Sequence, residues 1–219
     1  MIHRALIVFV REPRAGAVKT RLGRTVGMER AAEIYRACAE EVFRLARTAA
    51  RENIGVTVSY APESDPEQIR RWVNAQGFQF AVQEGSSLGD RMRNAMAHAM
   101  DRGAEKVLLV GSDIPELDEV ILREAWRRLE RDPVVLGPTP DGGYYLIGER
   151  APLKDLFAGI AWSTSSVFEQ TCAAAQAQEL SVGILPVRAD IDREEDFRAY
   201  QQRLRERVIS PGQQDHTGG

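Results

Sequence analysis

Cysteine and histidine are scarce in this chain of 219 residues, which has two of the former and three of the latter: Cys38, Cys172, His3, His98 and His216. Two cysteines cannot build a disulfide framework or a four-cysteine zinc site. Three scattered histidines likewise argue against a histidine-rich metal centre. We therefore expect both thiols to be free, as in a reducing compartment.

Long hydrophobic runs are also lacking. No apolar segment approaches the ~20 residues that cross a bilayer, so no membrane span is expected. The opening run at residues 5–10 is short, is followed by charge and has no small-residue cleavage site. It is more typical of a buried strand than of a signal peptide, and the expected location is the cytoplasm.

Three familiar motifs are absent or incomplete. There is no G-x-G-x-x-G, and Val18 rather than glycine precedes Lys19, so neither a dinucleotide-binding loop nor a Walker A loop is present. Residues 85–89 match G-x-S-x-G, but a serine hydrolase also needs a later acid and then a later histidine. His98 follows on the same helical segment and His216 stands in the terminal segment, so this interpretation is rejected.

The composition is typical of one globular domain, with 43% hydrophobic and 28% charged residues and a net charge of −3. We predict a single domain over residues 1–207 and a flexible tail over 208–219. The first 50 residues carry a charge of +5, which leaves −8 for the rest. This asymmetry fits either an anionic ligand near the N-terminus or solvated helix faces. Net acidity and 7% aromatic residues argue against a nucleic-acid partner.

Strand-like and helix-like patterns alternate along the chain. Residues 5–10 and 106–110 have no polar face, as expected of strands covered on both sides, and residues 88–99 have the periodicity of an amphipathic helix. Another helix is predicted from residue 163 to about residue 178, with Ser166 and Glu169 at capping-box spacing. The pattern predicts an α/β fold, a three-layer α/β/α sandwich around a mainly parallel sheet. Ligands bind beyond the carboxyl ends of such strands, so the loops there are the candidate site.

The loop after the first predicted strand concentrates positive charge. Residues 11–24 contain five cations: Arg11, Arg14, Lys19, Arg21 and Arg24. Backbone N–H groups at a helix start, together with Lys and Arg, form an anion site for which phosphate is the obvious ligand. A mobile basic surface loop is the alternative.

Carboxylates follow three later strands. Asp113, in the turn at 111–115, is placed to bind a divalent cation or, alternatively, to cap the next helix. Asp141 stands in Asp-Gly-Gly, which is either a hairpin turn or a backbone that a ligand approaches closely. Asp190 or Asp192 would supply a second carboxylate opposite Asp113, unless both serve only the dipole of the next helix.

Taken together, these loops resemble a known family. The blocks are REPRAGAVKTRL at 11–22, QEGSSLGDRM at 83–92, GSDIP at 111–115, GPTPDGGYYLIG at 137–148, WST at 162–164 and DIDREED at 190–196. From about residue 4 to about residue 200 the chain is similar to the glycosyltransferase-like nucleotide-diphospho-sugar transferases, some of which are named for arsenosugar biosynthesis. The resemblance implies a GT-A-type fold, shared with nucleotidyltransferases that make cofactors.

The resemblance also implies roles for individual residues. Contacts with the nucleotide and its phosphates would fall to Arg11, Gly16, Lys19, Arg21, Gln83 and Arg91. Asp113 would hold Mg²⁺ or Mn²⁺ on the diphosphate, with Asp190 or Asp192 nearby. The sugar or acceptor would face Asp141, Gly142, Gly143, Tyr144, Trp162, Ser163 and Thr164.

Three positions depart from the family pattern. Arg11 replaces the usual lysine and keeps its charge, Ser87 stands where aspartate is usual, and residues 193–196 replace the usual T-P-E-D. The serine in place of aspartate argues against a ligand contact at position 87.

The predicted function is that of a metal-dependent transferase with a nucleotide-activated donor, first of all a nucleotide-diphospho-sugar glycosyltransferase acting on a small-molecule acceptor. Lys19, Arg21 and the cation would stabilise the leaving diphosphate, and Asp141 would be the general base. The alternatives are a nucleotidyltransferase that joins a nucleoside triphosphate to a phosphorylated acceptor, and a non-catalytic nucleotide-binding protein.

Overall fold

A seven-stranded sheet forms the centre of the computed structural model, which describes residues 3–209. The strands are β1 (Arg4–Val10), β2 (Gly55–Tyr60), β3 (Gln79–Val82), β4 (Lys106–Gly111), β5 (Val134–Pro138), β6 (Tyr144–Glu149) and β7 (Val182–Ile184). They lie in the order β3-β2-β1-β4-β6-β5-β7. β6 runs antiparallel to β4 and β5, and the other pairings are parallel. The predicted mainly parallel sheet is confirmed.

Helices cover both faces of this sheet. They are α1 (Thr20–Val26), α2 (Met28–Arg51), α3 (Pro66–Val73), α4 (Leu88–Asp101), α5 (Glu119–Arg128), α6 (Val167–Ala177) and α7 (Glu194–Ile209). α2, α3 and α5 contribute to one core, and α4 and α6 contribute to the other. The predicted three-layer sandwich is therefore confirmed. α7 includes residues 208 and 209 of the predicted tail, and the tail from 210 onward lies outside the described residues.

Side chains alternate between the two cores along the central strands. In β1, Leu6 and Val8 pack towards α2, whereas Ala5 and Ile7 pack towards α4. Successive residues of a strand point to opposite faces, so a strand with helices on both sides has no polar face. Each fully buried Leu, Val or Ile contributes about 1.5–3 kcal/mol, which makes these strands the stable frame of the site.

The antiparallel direction of β6 follows from a tight turn. The Thr139 N–H donates to the Gly143 carbonyl at 3.0 Å, and the Gly142 N–H donates to the Thr139 carbonyl at 3.1 Å. Asp-Gly-Gly therefore forms the hairpin turn that was one of the two interpretations of this motif.

The loops that carry the predicted site residues share one edge of the sheet. This edge holds the carboxyl ends of β1 to β5 and of β7 and, because β6 is reversed, the beginning of β6. Parallel strands place their carboxyl ends side by side, which is why segments far apart in sequence converge here. Within residues 3–209, no helix combines the length and the apolar character needed to cross a membrane.

Candidate functional site

Lys19 lies between two carboxylates at this edge. Its Nζ is 2.8 Å from Asp113 Oδ2, after β4, and 3.5 Å from Asp190 Oδ2, after β7. The lysine side chain is 7% exposed, and the two aspartates are 33% and 29% exposed. Burial disfavours the ammonium, but the neighbouring aspartates outweigh burial and raise the pKa of Lys19. The lysine is therefore held as a cation.

The backbone at Lys19 is strained. Lys19 immediately precedes α1 and has φ 47° and ψ 44°, in the left-handed region. This conformation costs a residue with a Cβ roughly 1–2 kcal/mol. Gly16, at φ 77°, supplies another left-handed position in the turn at 14–17, where the Ala17 N–H donates to the Arg14 carbonyl at 3.0 Å. The strain at Lys19 coincides with its two ion pairs, which hold the side chain in place.

Several carboxylates lie within electrostatic range of Lys19 and Asp190. Burial raises the pKa of Asp190, Lys19 opposes this rise, and the carboxylates of Asp113, Asp141 and Asp192 add to it. The carboxylates of Asp113, Asp141, Asp190 and Asp192 therefore interact electrostatically. Lys19 forms ion pairs with Asp113 and Asp190, and Arg21 forms one with Asp192.

Arg21 pairs with a different carboxylate from those that contact Lys19. Its Nη1 lies 2.9 Å from Asp192 Oδ2, and its side chain is 69% exposed. It lines a second cleft, between α1 and α7, together with Arg24, Thr25, Arg193, Glu194, Glu195 and Arg198. The structure thus places Asp190, rather than Asp192, beside Asp113, and pairs Asp192 with Arg21.

A cleft of about 490 Å³ opens beside Asp113. Six of the predicted residues are among those that line it: Arg11, Gln83, Arg91, Asp113, Tyr144 and Ser163. Its wall near β1 also contains Tyr35, whose hydroxyl accepts from the Arg11 N–H at 2.9 Å and shares a 2.7 Å hydrogen bond with Ser112 Oγ. Burial raises the pKa of Tyr35 to about 12, so the phenol is neutral. Sequence reasoning missed Tyr35 because it lies within an ordinary amphipathic helix.

Gln83 and Arg91 lie on the β3 side of the cleft. Gln83 is buried, and its Nε2 donates to the Ser59 carbonyl at 3.0 Å. Arg91 donates from Nε to the Gly85 carbonyl at 3.3 Å. Between them Ser87 caps α4, because its Oγ accepts from the Asp90 N–H at 3.1 Å and donates to Asp90 Oδ2 at 2.9 Å.

Asp141 and Gly142 are tied into the hairpin turn. Asp141 Oδ1 accepts from Thr139 Oγ1 at 2.5 Å and from the Gly143 N–H at 3.2 Å. Gly142 has φ 86°, and a Cβ there would lie 1.9 Å from the Ser165 carbonyl oxygen. Gly142 therefore has a structural reason to be glycine, namely the close approach of the turn to the segment before α6.

Residues 162–164 divide between packing and the cleft. The Trp162 indole fills the space that a Cβ at Gly89 would occupy and stacks on Phe157 at a centroid distance of 6.4 Å. Thr164 Oγ1 donates to the Ala161 carbonyl at 2.7 Å, which closes a local turn. Ser163, at φ 66°, lines the cleft. On β6, burial raises the pKa of Tyr144, which keeps its hydroxyl protonated.

The donor set fits a hard divalent cation that substrate phosphates also ligate. Asp113 Oδ2 and Asp190 Oδ2 already converge on one positively charged atom, Lys19 Nζ, and oxygen ligands are those that Mg²⁺ and Mn²⁺ prefer. Among the described residues, no group of three or more His, Cys, Asp or Glu side chains could hold a metal. Two carboxylates plus phosphate oxygens are a usual magnesium arrangement.

Comparison with known proteins identifies the family. Residues 44–164 match the family described as uncharacterized protein conserved in bacteria, DUF2064. The chain is 34% identical to a protein from Desulfovibrio desulfuricans G20 that is provisionally named a nucleotide-diphospho-sugar transferase, with 95% of this chain and 96% of that chain covered and a TM-score of 0.82. The chain belongs to this GT-A-like family. The resemblance seen in its loops and the predicted GT-A-type fold are thereby confirmed.

More distant structures share the fold of this family. A mannosyltransferase from Pyrobaculum calidifontis, solved with GDP-Man and Mn²⁺, is 14% identical, with 94% of this chain and 62% of that chain covered and a TM-score of 0.58. A 4-diphosphocytidyl-2C-methyl-D-erythritol synthase from Anaerococcus prevotii DSM 20548 is 10% identical, with 93% and 97% covered and a TM-score of 0.60. At these identities the likeness concerns the fold alone. A search of curated proteins found no match.

Proposed function

We propose that this protein is a metal-dependent transferase with a nucleotide-activated donor, and specifically a nucleotide-diphospho-sugar glycosyltransferase. The observation that carries the proposal is the convergence of Asp113, Asp190 and Lys19 beside the 490 Å³ cleft. A leaving diphosphate is stabilised by nearby positive charge. Lys19 supplies a buried cation, and Asp113 and Asp190 are carboxylates able to bind a metal cation. Membership of the nucleotide-diphospho-sugar transferase family supports the same activity.

The charged side chains have distinct roles in this proposal. Asp113 and Asp190 hold Mg²⁺ or Mn²⁺, which would neutralise the charge that builds on the leaving diphosphate. Lys19 binds a diphosphate oxygen, and Arg11 and Arg91, which line the cleft, bind further along the nucleotide. Arg21 is less well placed than Lys19, because it is exposed and paired with Asp192.

The acceptor side of the proposed site is formed by the hairpin turn and its neighbours. Asp141 is the proposed general base for an acceptor hydroxyl, with Oδ1 held by Thr139 and Gly143. Its effect on the pKa of Asp190 puts it within electrostatic range of the proposed metal ligands. Tyr144 and Ser163, in the wall of the cleft, are the proposed contacts of the sugar or acceptor.

Calorimetric titration with UDP or GDP, with and without Mn²⁺, tests the metal site. A thermal-shift panel of nucleotides first selects the nucleotide, because a ligand of the folded state raises the melting temperature. Asp113→Ala should abolish the Mn²⁺-dependent part of nucleotide affinity. Asp101→Ala, an exposed aspartate at the end of α4, is the matched control and should retain it. Equal affinity in Asp113→Ala and the parent protein would refute the assignment.

Nucleotidyl transfer is the second candidate, favoured by the number of cations around the cleft. Arg11 and Arg91 line it in addition to the nearby Lys19, which suits the longer anionic chain of a nucleoside triphosphate. The two reactions release different products. Pyrophosphate from CTP or GTP with a phosphorylated acceptor would favour nucleotidyl transfer, and free nucleoside diphosphate from a sugar donor would favour glycosyl transfer.

A further inference from the structure

The Lys19 ammonium lies between Asp113 and Asp190, the two carboxylates that are proposed to hold the metal ion. We infer that Lys19 is a built-in counter-ion that keeps free divalent cations out, so that the metal enters only together with a diphosphate. This inference rests on the proposed function, because it concerns the same two carboxylates. It adds a binding order, and it makes the metal–nucleotide complex, rather than its separate components, the ligand of the protein.

The exclusion of free metal follows from charge and burial. Lys19 is 7% exposed and contacts both carboxylates. A free divalent cation would have to displace the ammonium from both and would then lie beside a buried like charge with no new anion to balance it. Like charges repel strongly when both are shielded from water.

A diphosphate removes this obstacle because it brings its own negative charge. Its oxygens can accept hydrogen bonds from the Lys19 ammonium. When Lys19 moves to the diphosphate, Asp113 and Asp190 are released to bind the cation. The left-handed backbone at Lys19, φ 47°, is the kind of strained conformation found where a segment changes its contacts. Because the coupling between two ligands is reciprocal, diphosphate should raise the affinity for the metal as much as the metal raises the affinity for diphosphate.

Binding of Mn²⁺ alone, followed through the electron paramagnetic resonance signal of the free ion, tests the inference without turnover. Lys19→Met should bind Mn²⁺ roughly tenfold more tightly than the parent, within the usual range of coupling between sites. Lys106→Met is the matched control, because Lys106 pairs with Glu130 at the opposite end of the same sheet, and it should bind Mn²⁺ as the parent does. Methylenediphosphonate, a diphosphate without a base, should tighten Mn²⁺ binding to the parent and have less effect on Lys19→Met.

The inference is overturned if Lys19→Met binds Mn²⁺ no more tightly than the parent. It is also overturned if adding Asp113→Asn to Lys19→Met leaves the gain unchanged, since the ion would then lie elsewhere. Circular dichroism checks that each variant is folded, and Lys19→Gln, which removes the charge but keeps a donor, replaces Lys19→Met if the latter does not fold. Absence of nucleotide binding in the parent would refute the proposed function but leave the comparison with Mn²⁺ alone fully interpretable.

Discussion

Glu149 provides a test of the energetics of this fold, independent of its function. It ends β6, is 2% exposed, and its Oε1 is buried with no hydrogen-bond partner among the described residues. The backbone amide of Leu153 donates to the carboxyl group, but burial dominates and raises the pKa of Glu149 from 4.5 to about 8. The carboxyl is therefore protonated in the folded protein at neutral pH.

The direction of the pH effect follows from proton linkage. Between pH 4.5 and about 8, the unfolded chain ionises Glu149 whereas the folded chain keeps the proton. Stability is therefore unaffected by this group below pH 4.5 and falls as the pH rises through that window. At ~1.4 kcal/mol per pKa unit, a rise from 4.5 to about 8 costs the folded state roughly 5 kcal/mol once both states are ionised. Glu149→Gln is neutral at every pH and removes this dependence.

Urea denaturation at pH 5 and pH 8 measures the effect. We expect the unfolding free energy of Glu149→Gln, relative to the parent, to rise by about 3 kcal/mol between these two values. Other groups titrate equally in both proteins and cancel. Glu63→Gln, at an exposed position, is the control and should show no such change. If the unfolding free energies of Glu149→Gln and the parent differ by the same amount at pH 5 and pH 8, Glu149 is ionised in the folded protein, and the reasoning is refuted.

Two further substitutions test local structure. Gly142→Ala should lower the unfolding free energy by roughly 2 kcal/mol or more in thermal or urea denaturation, because its Cβ would lie 1.9 Å from the Ser165 carbonyl oxygen. The control Gly77→Ala, at φ 81° with no neighbour within 4 Å, should lose only the ~1 kcal/mol due to the backbone conformation. Equal losses in the two variants would contradict the clash at Gly142. Ser87→Ala should lower the unfolding free energy by about 1 kcal/mol in the same assay, because the α4 cap is lost. Nucleotide affinity, measured by titration calorimetry, should be unchanged. Weakened affinity with unchanged stability would instead make Ser87 a ligand contact.

Periodicity predicted most of the elements but not all of them. The sequence analysis places most of helix α1 in the basic loop at residues 11–24. A helix of seven residues is hard to predict from sequence because it is stable only with tertiary contacts. The contact that stabilises it is the packing of Leu22 against Ile34 and Cys38 of α2. The direction of β6 depends on the hairpin turn at Asp-Gly-Gly, which was only one of two interpretations of that motif.

The two serine caps show how spacing differs from geometry. Ser166 and Glu169 have capping-box spacing, yet Ser166, at φ −99° and ψ −1°, makes no side-chain cap hydrogen bond, so that expectation was wrong. Ser87, at φ −119° and ψ 165°, forms a complete capping box with Asp90. A cap needs an extended backbone at the serine, which residue identity alone does not specify.

By itself, the sequence determined that the basic loop and the acidic turns share one edge, because alternating apolar strands and helices build a parallel sheet whose strands all end there. Only the tertiary structure decided which charges meet: Lys19 with Asp113 and Asp190, and Arg21 with Asp192. These partners lie far apart along the chain, and their pairing depends on strand order and on the left-handed backbone at Lys19. Local periodicity carries no information about such contacts, since they arise only when the loops are brought together by the folded sheet.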